Sequence, residues 1–228
     1  MNLQDQHKII CQKRRDREKA QRICSILDAA KKVFAAKGYL KATMDEIALE
    51  AEVTKPTIYL YFKTKDDLFF TLMLPLIEDV HRQLQKVEER LTSGKISDGA
   101  DLIGALFRGF YCAYEALPET FRILQLFQQQ GLVSELRPEV RSALNDKGRA
   151  NFVLHRRILS KGMDMGLIKK ANIYEVADVI WATLVGIIQL EDAKYSNHKN
   201  KRLTENTLRL AEKLIAEAMT LKSKGKKK

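Results

Sequence analysis

Lys55, Thr57 and Tyr59 lie close together in the stretch Thr54-Lys55-Pro56-Thr57-Ile58-Tyr59-Leu60-Tyr61, and their side chains can read nucleobases. A lysine ammonium donates to guanine O6 or N7, and a threonine methyl or hydroxyl meets a thymine methyl or another base edge. Pro56 offers an apolar contact and fixes the backbone. Ile58 and Phe62 read as core, while Tyr59 suits either a base contact or packing. Thr43 and Lys65 stand at sequence signals for helix starts, where free N–H groups and a partial positive charge meet a phosphate. Residues 8–22 add Lys8, Lys13, Arg14, Arg15, Arg17, Lys19 and Arg22 against Asp16 and Glu18. Two readings stay open for them: an arm or helical extension along phosphates or a minor groove, or a solvated charged end.

These residues need helices to present them, and the apolar spacing is helical almost throughout. Ile23, Ile26, Leu27, Ala30 and Phe34 share one face, and Gly38 is a stop. Thr43-Met44-Asp45-Glu46 is a capping box that opens a short helix bearing Met44, Ile47, Ala48 and Ala51. Thr54 is an N-cap, with Pro56 in the first turn of a helix running to about Tyr61. Thr64-Lys65-Asp66-Asp67 opens a long helix to about Arg90, which Pro75 should kink. Further helices are expected near 98–116, 118–130, 139–165, 172–193 and 203–222. The fold class is therefore all-α. Three helices occupy 15–62, the last two about two turns long and joined by a three-residue turn. That is a helix-turn-helix, in which a short helix enters a major groove and the preceding one braces it.

Composition narrows the partners. Residues 1–65 hold 14 Lys and Arg against 8 Asp and Glu, residues 66–200 hold 17 against 18, and residues 201–228 hold 9 against 3. A basic end on a neutral body suits a polyanion. The lysine tail, 223–228, reads as solvated and disordered. The longest apolar run, Val179 to Ile188, is about half of a ~20-residue membrane span, and Met1 to Ile10 has no apolar signal core. A soluble cytoplasmic protein with no membrane partner is the expectation. Cys11, Cys24 and Cys112 form no CxxC pair, so neither disulfides nor a metal site are expected. No HExxH, Gly-rich phosphate loop or Cys–His–Asp spacing occurs, and the histidines are scattered. Neither an enzyme nor a cofactor is expected.

Ala42-Thr43-Met44-Asp45-Glu46-Ile47-Ala48, Val53 through Phe62 and Lys65-Asp66-Asp67-Leu68, with Ala29 through Tyr39, resemble the TetR (tetracycline-repressor) family of bacterial transcription regulators. The likeness covers about residues 23–72 without a gap. It implies phosphate contacts from Thr43, Tyr61 and Lys65, to which Thr54 is added as the recognition-helix cap. At Glu52 the family usually has glycine, because that turn needs positive φ; a glutamate there should cost ~1 kcal/mol.

The expected organisation is a DNA-binding domain over 1–65, with its basic extension, and a helical ligand-binding and dimerisation domain over 66–222. The resemblance implies a small-molecule pocket in the larger domain, for which Phe107, Phe110, Tyr111, Tyr114, Phe127, His155 and Trp181 are candidates. An aromatic core is the alternative, and His155 beside Arg156 and Arg157 suits an exposed face. The helix from Val176 to Leu190 is apolar nearly all round, and Leu208, Ala211, Leu214, Ile215 and Ala218 repeat the theme. Helices near 172–193 and 203–222 could thus join two copies across a two-fold axis. The implied function is a homodimeric repressor on a palindromic operator, released by an unknown small-molecule effector. Alternatives are constitutive or protein-controlled DNA binding, or thiol sensing through Cys112.

Overall fold

The computed structural model describes residues 3–194 and 201–221, so the lysine tail at 223–228 lies outside the described residues. Helices α1 (Leu3–Lys41), α2 (Met44–Glu50), α3 (Lys55–Tyr61), α4 (Lys65–Thr92), α5 (Gly99–Ala116) and α6 (Pro118–Gln129) are followed by a 3₁₀ turn, Leu132–Glu135. Then come α7 (Pro138–Asp164), α8 (Ile173–Lys194) and α9 (Lys201–Met219). The protein is all-α. Among the described residues the one extended pairing is an isolated bridge between Ile168 and Thr220. The expected helices all form, but α1 begins at Leu3, well before residue 15.

The chain makes two compact units, each from two stretches: Met1–Pro75 with Pro118–Leu144, and Leu76–Leu117 with Asn145–Lys228. The first unit thus runs past residue 65 and recruits α6. Aromatic packing explains this. Phe127 of α6 stacks on Phe69 of α4 with centroids 4.3 Å apart, and Tyr39 meets both rings at 5.1 Å. The Arg137 backbone N–H donates to Asp66 Oδ2 at 2.8 Å while its guanidinium pairs with Asp67. The apolar period of α6 announces a buried face but not the surface that covers it.

In this unit the core face of α1 is Ile26, Ala29, Ala30, Val33 and Phe34, beside buried Ile47, Ala48, Ile58, Leu68 and Leu72. Gly38, at φ 73°, breaks the last turn of α1 as a left-handed stop. The second unit buries Leu84, Leu91, Leu102, Ile103 and Leu106 together with Ile158, Leu159, Ile180 and Leu184. On α8 the buried residues are Ala177, Ile180, Leu184, Ile188 and Glu191, spaced as one helical stripe toward α5 and α9. By length and composition alone α8 could cross a bilayer. The stripe gives its apolar character a role within a protein core.

Candidate functional site

The helix-turn-helix is held by hydrogen bonds that its sequence makes obligatory. At the start of α2 the Glu46 N–H donates to Thr43 Oγ1 at 3.2 Å, and the Thr43 N–H donates to Glu46 Oε2 at 3.1 Å. Glu46 also takes Lys37 Nζ at 2.6 Å, and that bond, then the Thr43 amide, holds its carboxyl below the usual range. Thr43 Oγ1 therefore accepts inside the box while its own O–H remains a donor. At the other end of α2, Val53 N–H donates to Ala48 O at 2.9 Å and Glu52 N–H to Leu49 O at 3.1 Å. That pair of bonds is a Schellman motif, and its left-handed position is Glu52 at φ 54°. The turn is the one that the glycine-to-glutamate departure implied.

Helix α3 projects outward from this frame. Only Ile58 is buried within it, while Tyr59 is 36% and Leu60 71% exposed. Lys55 and Pro56 are exposed, Thr57 and Tyr61 are half-buried, and Phe62 closes the inner side. Ile58 anchors the rod, so its neighbours must face away. Two details depart from the sequence reading. Thr54 occupies the N-cap position but makes no cap bond; its hydroxyl lies 2.9 Å from that of Thr57. Lys55 is latched to Asp45 of α2, Nζ to Oδ2 at 2.8 Å, and the bond raises its ammonium pKa. Nothing in the sequence links residues ten apart on two helices, so this latch was not legible there.

Lys65 also has a different setting. Its Nζ donates to the carbonyls of Tyr39 at 2.7 Å, Ala42 at 2.9 Å and Leu40 at 3.3 Å. It sits 4.5 Å over the Tyr39 ring, and burial lowers its pKa. An ammonium has three donors, and all three are spent on the end of α1, where the helix dipole is negative. Lys65 ties α4 to α1 rather than presenting a free charge to a phosphate.

The seven aromatic-site candidates do not converge. Phe127 belongs to the first unit. In the second, His155 packs edge-on to Phe110 with centroids 5.0 Å apart, and Phe110 meets Trp181 at 5.2 Å. Phe107 and Tyr111 instead line an open groove of about 450 Å³ with Arg108, Leu208, Glu205 and Glu212. Tyr114 sits against Tyr111 at 5.8 Å. His155 is not on an exposed face: it is 1% accessible, since its helical position points inward while half-exposed Arg156 and exposed Arg157, which follow it, point away. Neither ring nitrogen has a hydrogen-bond partner. Burial, then Arg156, pushes its pKa down to about 3. Cys112 is an exposed free thiol.

An outward two-turn helix braced by a second one over a bundled aromatic core defines a helix-turn-helix protein of the DNA-binding kind. Residues 26–72 match the family described as bacterial regulatory proteins, tetR family. The chain is 33% identical over 78 residues to the fatty acid metabolism regulator protein of Bacillus subtilis (strain 168), which is 34% of this chain and 40% of that one. It is 29% identical over 150 residues to "Uncharacterized HTH-type transcriptional regulator YfiR" of the same organism, 65% of this chain and 68% of that one. The matched stretch thus spans well under half of the first relative and about two thirds of the second. The crystal structure of the Bacillus subtilis regulator FadR with stearoyl-CoA superposes at TM-score 0.59 and 22% identity, over 82% of this chain and 96% of that one, and so shares its fold. Over residues 26–72 the chain thus carries a TetR-type DNA-binding region, and its fold is the one seen in FadR.

Proposed function

We propose that the protein is a homodimeric, sequence-specific DNA-binding regulator that represses transcription until a small acyl-bearing effector releases it. The observation that carries this is the outward presentation of α3, with Lys55, Pro56 and Tyr59 exposed and Thr57 half-exposed over the Ile58 anchor. Lys55, Pro56, Thr57 and Tyr59 meet base edges, Lys55 exchanging Asp45 for guanine. Thr43, Thr54 and Tyr61 hold phosphates, and Lys65 contributes by fixing the angle between α1 and α4.

A lone reading helix of two turns gives little specificity, and the apolar faces of α8 and α9 supply a second copy. Opposite its buried stripe α8 exposes Val179 and Leu190, and α9 exposes Leu210 and Leu214, each about half accessible. Paired across a two-fold axis, such helices form a four-helix interface. The effector class rests on the fatty acid regulator relatives and the stearoyl-CoA complex of FadR. The Phe110–His155–Trp181 cluster is apolar with one unsatisfied polar ring, as an acyl chain ending in a polar group requires.

Selection from random duplexes, followed by titration of the selected site with stearoyl-CoA, tests the reading. A two-fold symmetric site whose affinity falls as acyl-CoA is added is expected. No selected sequence refutes the DNA reading; selection without any effect of acyl-CoA refutes the effector class alone.

A further inference from the structure

Helix α1 is 39 residues long, yet its contribution to the core starts only at Ile26. From Asp5 to Arg22 every residue except Cys11 is exposed, a rod of about 27 Å at 1.5 Å per residue. A helix that buries nothing is marginal in water, and apolar packing does not maintain this one.

Its charges are not scattered. Lys8, Arg15, Lys19 and Arg22 recur at intervals of seven, four and three, the spacing that keeps residues on one helix face. The same progression continues through Ile26, Ala29 and Val33, the residues that face the core. The inner face of α1 therefore changes at residue 22 from apolar to cationic, in line with the buried face of a helix that packs on both α2 and α6. Elsewhere on the rod most charges are neutralised or tied down, the Lys13 ammonium excepted. Arg14 pairs with Glu18 at 2.8 Å, Gln12 bonds Asp16, and Arg17 bonds the Lys13 carbonyl. Lys8, Arg15, Lys19 and Arg22 join no ion pair or side-chain hydrogen bond among the described residues. Like charges at these spacings repel along a helix, so the face gains by meeting an anionic surface.

We infer that this face is a second DNA contact, in which Lys8, Arg15, Lys19 and Arg22 lie on the sugar-phosphate backbone beside the base pairs read by α3. The inference rests on the DNA-binding reading above. The four cations span about 21 Å of helix axis, the rise of about six base pairs of duplex at 3.4 Å each. Phosphates repeat along such a path whatever the sequence, so the contact adds affinity without adding base preference.

The experiment compares the full chain with the quadruple variant Lys8→Gln, Arg15→Gln, Lys19→Gln, Arg22→Gln on a long duplex and on one trimmed to the selected site. On the long duplex the variant's plot of log affinity against log salt should be shallower by about 3.6 per subunit, at about 0.9 per lost phosphate contact. On the trimmed duplex the two proteins should bind alike, with the same preferred bases on both. Neutralising Lys13, Arg14 and Arg17 instead should change the slope less. The charge-preserving exchange Lys8→Arg, Arg15→Lys, Lys19→Arg, Arg22→Lys should restore it, which separates charge from folding. An unchanged slope on the long duplex overturns the inference while the operator reading stands. A wild-type chain that selects no duplex overturns both. Loss of binding to phosphatidylglycerol vesicles, with duplex binding intact, also overturns it by assigning the face to lipid.

Discussion

His155 should make the second unit acid-sensitive, and replacing it should remove that sensitivity. Its imidazole is sealed against Phe110 with neither nitrogen bonded, and desolvation holds its pKa near 3, against 6.5 for an unperturbed ring. Above pH 6.5 the ring is neutral in both folded and unfolded chains, and protonation adds nothing to stability. Below 6.5 the unfolded chain binds a proton that the folded chain refuses until about pH 3. Stability is therefore lost as pH falls through that window. Between pH 7.5 and pH 5.0 the loss assigned to this ring is about 2 kcal/mol, from 1.36 kcal/mol per unit below the unfolded value. His155→Phe fills the same space without the two orphaned nitrogens. It should stabilise the neutral-pH protein by about 1–3 kcal/mol. Urea unfolding followed by Trp181, the chain's single tryptophan and a neighbour of Phe110, reports on this cluster directly. Carboxylate titration is common to both proteins and cancels in the difference. Equal losses between the two pH values would refute the reasoning, because they would mean that the ring is solvated in the folded state.

Glu52→Gly should raise stability by about 1 kcal/mol, since glycine takes the left-handed position without the Cβ penalty. Calorimetry should show a melting temperature a few degrees higher and duplex affinity unchanged; a lower melting point would contradict the turn analysis. Lys65→Met removes three charge-assisted bonds to the end of α1 and should cost about 2–3 kcal/mol. The salt dependence of DNA binding should barely move, whereas a phosphate-clamping lysine would flatten it. If the proposed α8–α9 dimer forms, the wild-type chain should sediment as a dimer and the variant Leu210→Asp with Leu214→Asp as a monomer; a variant that stays dimeric would move the interface elsewhere.

Most local signals in the sequence were read correctly, Thr54 excepted, which takes the N-cap position without the cap bond. The Thr43–Glu46 box, the Ile58 anchor and the strained Glu52 turn each depend on residues within a few positions, so spacing is enough to find them. What spacing could not supply was partner choice. Lys65 looked like a helix-start cation available to phosphate, but its four-carbon stem folds back onto three carbonyls some two dozen residues earlier. Lys55 looked unattached because Asp45 is brought to it by the turn between α2 and α3. His155 is followed by two arginines, and their polarity masked a helical phase that aims it inward. The aromatic candidates shared a composition, not a location: Phe127 follows α6 into the first unit, while Phe110 and Trp181 meet in the second.

The position of Phe127 bears on how such a protein can be cut and rejoined. The reading head is not a cassette bounded by a single seam, because one ring of its aromatic cluster returns from residues 118–144. A hybrid regulator made by splicing residues 1–65 onto a foreign effector body would leave Tyr39 with Phe34 but without Phe69 and Phe127. Any exchange of parts has to carry both stretches of chain, or provide a substitute lid for that apolar patch.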